Sequence, residues 1–191
     1  MSKETADASG PWDGLDELRV RLHEISRDRS AGAVEREAAL GAVDTKRRLA
    51  LALAAPDACT RCSRHDAKQP QGFEGGRCCS HPLGRLFTED MLAMLATGGM
   101  GGEALQGPAH TGAGCAFRDR LGCTLQPAQR PNACAGYICQ SLSEELQTKG
   151  AREGVATLCA ELEDSERKFR SARTLRLAAL EIEALLNRRE G

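Results

Sequence analysis

The sequence predicts a mainly α protein in which long N- and C-terminal helices pack against a loop-rich cysteine/metal core. Three observations lead to this fold class. Apolar residues recur at spacings of three and four towards both ends of the 191-residue chain, the pattern of one-sided helices. Between them, from about residue 56 to residue 140, Gly and Pro become frequent and the periodicity disappears. That middle stretch also holds eight of the nine cysteines.

Taken in order, residues 1–12 read as a disordered polar tail, and residues 13–191 as a single domain. Within it, 13–55 form the N-terminal helices, 56–140 the cysteine-rich metal-binding core and 141–191 the C-terminal helices. Asp13 suits an N-cap, with Asp16 and Glu17 in the first turn, where carboxylates favour the helix dipole. Leu15, Leu18, Leu22 and Ile25 then mark one apolar face. Ser30-Ala31-Gly32 breaks the helix. A second one carries Val34, Leu40, Val43, Leu49 and Leu53 and stops before Pro56, because the residue preceding proline disfavours the α region. Arg, Glu and Asp fill the other faces and read as solvated surface.

Residues 66–77 form a polar, Gly-rich loop. Thr88 caps a short helix with Glu89 and Asp90 in its first turn and Met91, Leu92 and Leu95 on its apolar side. Gly98 to Gly102 ends that helix and reads as a hinge, since it follows no strand and has no phosphate-binding lysine. Residues 103–139 read as loops and turns without a strand. Ser141-x-x-Glu144 has the form of a capping box. Gly150 either ends the helix that starts there or is tolerated within it. Val155, Leu158, Leu162 and Phe169 carry the apolar stripe onward. Leu175, Ala179, Ile182, Leu185 and Leu186 extend it nearly to residue 191. An isolated helix gains little from propensity alone, so this helix is expected to pack antiparallel against the N-terminal ones.

Composition narrows the function. Aromatic residues make up only 3% of the chain and apolar residues 41%, so the core relies on Leu, Ala and Val. The net charge of −1 gives no global pull towards nucleic acid or an acidic membrane, and neither is expected as a partner. Of the aromatic residues in the middle stretch, only Phe73, Phe87, Phe117 and Tyr137 are available to stack on bases. No window reaches the apolar length of a membrane-spanning helix. The N-terminus, MSKETADASGPWDG, lacks the basic and apolar regions of a signal peptide. A cytoplasmic location follows as the expectation. In a reducing compartment clustered thiols bind metal or do redox work more often than they form disulfides, and an odd total of nine cysteines does not pair completely.

The thiols fall into Cys59-x2-Cys62, Cys78-Cys79, Cys115-x7-Cys123 and Cys134-x4-Cys139. Thiolate is a soft donor suited to zinc and to iron–sulfur clusters, and four of them complete either kind of site. Eight fill two such sites, or one with several bystanders. A Cys-x2-Cys turn brings two sulfurs to one ion, which makes Cys59 and Cys62 the strongest local signal. Cys159 falls on the apolar side of the C-terminal helix and reads as a core residue. His65 and His81 lie close enough to cysteines to replace a thiolate; His110 and His23 are weaker candidates. From Cys59 to Cys139 there are eight Lys or Arg and six Asp or Glu, a slight basic excess that offsets thiolate charge and lowers thiol pKa values.

The order of these motifs carries a resemblance. Cys59, Cys62 and Cys78-Cys79 are followed by Leu86-Phe87-Thr88-Glu89-Asp90, by Gly114-Cys115-Ala116-Phe117 and by Gly122-Cys123-Thr124-Leu125. Then come Arg130-Pro131-Asn132-Ala133-Cys134 and Cys134-Ala135-Gly136-Tyr137-Ile138-Cys139. Over about eighty residues this resembles the YkgJ-type CxxCxxxCC family, described as zinc- or iron-chelating domains. Fifteen residues separate Cys62 from Cys78, where the family motif has a short spacer, and Ala135 stands where arginine is usual. The long flanking helices lie outside the resemblance.

What the resemblance implies is metal chelation by Cys59, Cys62, Cys78, Cys79, Cys115, Cys123, Cys134 and Cys139, with zinc or an iron–sulfur cluster as the bound group. A non-catalytic role is the first expectation. Some relatives are flagellin lysine methylases, so an iron–sulfur-dependent protein-modifying enzyme is the second. The third is a redox- or metal-responsive adaptor that binds a protein partner through its amphipathic helices. A wide apolar stripe left exposed would favour the third.

Overall fold

Helix α1 (Leu15–Ser26) starts from Gly14, whose φ of 101° is open to glycine and strained for other residues. The N-cap is therefore Gly14 rather than Asp13. The computed structural model describes residues 14–54, 56, 86–105, 117–119 and 122–190. The expected tail, the 66–77 loop, Asp13, Cys59, Cys62, Cys78, Cys79, Cys115, His65, His81, His110 and Phe73 lie outside the described residues. Within them the chain is mainly helical, as the periodicity requires.

Leu15, Leu18 and Leu22 are buried and Ile25 packs beside them. After the break, α2 (Ala33–Ala52) begins at Gly32. The Glu35 carboxylate accepts the Gly32 amide at 2.8 Å; Gly32 has no side chain to return the bond. The buried face of α2 is the expected one at Val43 and Leu49, with Leu53 packed against the core, but not at the start of the helix. Val34 and Leu40 are exposed, whereas Ala38, Ala39, Ala42, Val43 and Leu49 are buried, together with Glu35, Thr45 and Lys46. Small residues win this face because another helix crosses it closely. A Cβ added at Gly41 would sit 3.5 Å from Ser165 Oγ.

Helix α3 (Glu89–Thr97) is capped as expected, with the Met91 amide donating to Thr88 Oγ1 at 3.3 Å. Met91, Leu92, Ala93, Met94 and Leu95 are all buried, so α3 is enclosed on every side rather than on one. Its end is a closed stop and not a hinge. The Gly99 amide donates to Ala96 O and the Met100 amide to Leu95 O, each at 3.0 Å. With Gly99 at φ 92° this is the Schellman arrangement. Gly98 is needed for space, because a Cβ there would lie 3.0 Å from Val43 Cγ2. A short 3₁₀ turn follows at Gly102–Leu105, and the Arg19 Nε donates to Leu105 O at 3.2 Å.

The 117–139 stretch is not wholly irregular. Strands β1 (Arg118–Asp119) and β2 (Gly122–Cys123) pair antiparallel, Arg118 with Cys123. A 3₁₀ turn, Pro127–Gln129, and a one-turn helix α4 (Asn132–Ala135) come next. The Phe87 and Phe117 rings, both buried, meet edge to face at 5.8 Å, so neither is available for stacking on bases.

Helix α5 (Gln140–Thr148) is capped by Cys139 and not by Ser141. Ser141 falls inside the first turn, and Glu144 accepts a bond from Gln140 Nε2 at 3.0 Å instead of closing a capping box. Gly150, at φ 67°, ends α5. Its amide donates to Gln147 O at 3.1 Å and the Ala151 amide to Leu146 O at 2.9 Å.

Helix α6 (Arg152–Glu190) is 39 residues long and runs antiparallel to α2. Arg48 pairs with Glu161 at 2.7 Å near one end and Arg176 with Glu35 at 2.9 Å near the other. Val155, Leu158, Leu162 and Phe169 face the core. The expected extension of that stripe fails in phase. Leu175 comes six residues after Phe169, which rotates it about 120° around the helix. The inward positions are taken instead by Arg173, which reaches Asp90 at 3.1 Å, and by Arg176. Leu175, Leu177, Leu180, Ile182, Leu185 and Leu186 are all exposed.

Two outcomes follow for stability. Gly99→Ala should destabilise by about 1 kcal/mol, since alanine resists the left-handed region, whereas helical, unobstructed Gly154→Ala should gain about 0.5 kcal/mol. Glu35→Ala should cost about 3 kcal/mol, because it strands a largely buried guanidinium and frees a helix N-terminus. Replacing Glu35 and Arg176 together with leucine should cost less than Glu35→Ala. Urea midpoints of the variants measure both.

Candidate metal centre

The short elements between Phe117 and Gln140 set the described cysteines. Cys123 lies in β2, and the next amide, of Thr124, donates to Phe117 O at 2.8 Å, tying the ladder to the buried Phe117. Arg130 Nε donates to Leu125 O at 3.1 Å, and Gln129 Oε1 accepts the Gln126 amide at 3.0 Å. These bonds hold the turn that leads into α4. Pro131 starts α4, and its carbonyl accepts the Cys134 and Ala135 amides at 2.9 Å. Cys139 stands at the N-terminus of α5, where the helix dipole favours negative charge.

Cys123, Cys134 and Cys139 are each partly buried and packed against the core. No disulfide joins any two of the described cysteines. Among the described residues no group of three or more His, Cys, Asp or Glu side chains is gathered as a metal-holding set. The other five candidate cysteines lie outside them. His23 is exposed at the end of α1.

Cys159, on α6, is partly buried against the core, and its thiol donates to Gly136 O at 3.7 Å. Burial, reinforced by nearby Glu163, pushes this thiol pKa up, so it stays protonated and can donate. It braces the turn between Cys134 and Cys139 from behind. Gly136 leaves little room there, because an added Cβ would lie 3.5 Å from Asn132 O and 3.9 Å from the Cys159 sulfur.

Beside Cys134 is a polar cluster that sequence reasoning missed. Lys46 is 2% exposed, and Glu166 is the main attraction on its charge. Burial lowers its pKa from 10.5 to about 8, against the attraction of Glu166 and then of Cys134. Asn132, buried at the start of α4, donates from Nδ2 to Glu166 Oε2 at 3.1 Å and contacts Met94 Sδ at 3.6 Å. Its Oδ1 is buried with no hydrogen-bond partner among the described residues. Arg170 holds the other oxygen of Glu166. A signal for Lys46 was present in the chain: Ala39, Ala42, Lys46 and Leu49 fall at spacings of three and four, which sets the lysine on the buried stripe of α2.

Chemically, a buried cation is costly, and Glu166 offsets only part of the cost here, since the pKa of Lys46 is still lowered. A thiolate–metal group at Cys134 would add negative charge to that of Glu166 there, since four thiolates on zinc carry a net charge of about −2. The donor chemistry and the lysine therefore fit a zinc or iron–sulfur centre. Compared with family models, curated proteins and solved structures, the chain matches none of them.

The lysine predicts a pH response in the metal-free protein. Below about pH 8 the folded chain bears the full burden of a buried ammonium. Between about 8 and 10.5 only the unfolded chain keeps the proton, so stability rises with pH. The rise should approach about 3 kcal/mol. Lys46→Met should remove that rise, as read from urea midpoints of both proteins at neutral and alkaline pH.

Proposed function

We propose that this chain is a metal-binding protein whose middle-third thiolates hold zinc or an iron–sulfur cluster without catalysing a reaction. The donors in this reading are Cys59, Cys62, Cys78, Cys79, Cys115, Cys123, Cys134 and Cys139. The observation that carries it is Lys46, a buried lysine whose pKa is lowered by burial, against the attraction of Glu166 and then of Cys134. A bound metal–thiolate group balances that charge. The motif order, in the sequence alone, supplies the second support.

Such a centre also suits a chain with only 3% aromatic residues. Structural zinc contributes on the order of 10 kcal/mol to a small fold, which offsets a core built largely from Leu and Ala. Lys46 would face the bound group as a charge partner, and Cys159 would support the loop that presents Cys134 and Cys139.

An adaptor role for the same metal-bound protein is favoured by one further observation, the row of exposed leucines on the last turns of α6. In that reading the metal centre stabilises the body of the protein and α6 carries the contact.

Anaerobic purification followed by metal analysis and a visible spectrum tests the metal reading. Stoichiometric zinc in a colourless protein, or iron with absorbance at about 400 nm, supports it. Cys59→Ser and Cys134→Ser should each lower the metal content, whereas Cys159→Ser should leave it unchanged. A protein free of both metals, or equal loss in all three variants, overturns the assignment.

A further inference from the structure

Two side-chain bonds between the described residues tie α6 to the loop that presents Cys134. The first joins Asn132 to Glu166. Asn132 is 6% exposed and stands in the first turn of α4, two residues before Cys134. Its Nδ2 donates to Glu166 Oε2 at 3.1 Å, and Arg170 holds the other carboxylate oxygen. Glu166 itself lies between the two ion pairs that fasten α6 to α2, Arg48 with Glu161 and Arg176 with Glu35. The second bond runs from the Cys159 thiol to Gly136 O. It is 3.7 Å long, and a thiol is a weak donor.

A one-turn helix has no stability of its own, and apolar contacts have no direction. Packing alone therefore leaves α4 free to roll about its axis. With a helix radius of about 2.3 Å, a roll of about 30° moves a Cα by about 1.2 Å. Metal–ligand distances tolerate only about 0.2 Å. A directional bond is what fixes the angle. The Asn132 amide shows which bond governs: its Oδ1 is buried without a hydrogen-bond partner among the described residues. Turning the amide over would set Oδ1 against the Glu166 carboxylate, acceptor to acceptor. The unpaired oxygen is thus the cost of keeping Nδ2 on Glu166. Leucine, of similar size, would avoid that cost at residue 132 but would hold no angle.

We propose that Asn132 and Glu166 are positioning residues, which fix the direction of the Cys134 thiolate towards a bound metal without touching it. This rests on the proposed metal centre and assigns two further residues to it. Outer partners of this kind change metal affinity by about 10- to 100-fold.

Zinc titration of the reduced, metal-stripped full chain against a chromophoric chelator tests it. Where the chain takes up an iron–sulfur cluster instead, iron retained against a chelator gives the same comparison. Asn132→Leu and Glu166→Leu should each weaken binding about 10- to 100-fold. The double variant should be no weaker than either, since both remove one bond. Glu166→Gln should recover most of the affinity, because its amide oxygen still accepts from Asn132 Nδ2. Circular dichroism shows which variants fold. Glu166 is partly exposed, so Glu166→Leu and Glu166→Gln decide the matter even if Asn132→Leu does not fold. Leucine variants that bind as tightly as the unaltered chain overturn the anchor and leave the metal reading standing. So does a Glu166→Gln variant as weak as Glu166→Leu. An unaltered chain that takes up neither zinc nor a cluster overturns both.

Discussion

Close approach between α2 and α6 is the constraint on which the rest of the structure depends. It is possible because the crossing face of α2 is small: Ala38, Ala39 and Ala42 are buried and Gly41 stands against Ser165. Two ion pairs, Arg48 with Glu161 and Arg176 with Glu35, hold the register at the two ends. With that pair in place, α3 has a groove to enter, and its Met91 to Leu95 stretch is buried. The apolar faces of α1 and of the first part of α6 close over it. A chain with few aromatic residues gains its core this way, by fitting many small and branched side chains closely rather than by burying a few large ones.

Charged groups in this fold are not confined to its surface. Glu35 is 1% exposed and Lys46 2%, on the same face of the same helix, and their circumstances differ. Glu35 has a helix N-terminus to cap and a guanidinium to hold, so its burial is compensated. Lys46 has neither, and its low pKa records the cost. Conflicts of this kind, where a local choice works against the fold, concentrate at functional sites. This one is a buried lysine beside Cys134, one of the eight cysteines that the motif order proposes as donors.

The two halves of α6 illustrate how a continuous helix can serve two purposes. Its first half is a structural element, with Val155, Leu158, Leu162 and Phe169 inward. Its second half shifts the apolar residues around the cylinder and leaves them facing away from the core. The shift follows from the six-residue step between Phe169 and Leu175, which is out of phase with 3.6 residues per turn. A stripe that changes face in mid-helix cannot be satisfied by the same neighbour throughout.

By itself the sequence determined the helical class, the α1 face of Leu15, Leu18 and Leu22, the Thr88 cap, the break at Gly32 and the antiparallel return of the last helix. Each rests on spacing or on a local bond within a turn or two, which neighbouring residues encode. Even the phase change after Phe169 and the place of Lys46 on the α2 stripe were written in the spacing. Tertiary structure alone decided that alanines rather than Val34 and Leu40 face the core of α2. It also decided that Gly98 to Gly102 opens with a closed stop, that Cys139 rather than Ser141 begins α5, and that Arg173 and Arg176 continue the inward face of α6. Those outcomes turn on which helix crosses which and how closely, and on carboxylates that lie far away in the chain. Such contacts have no period to read.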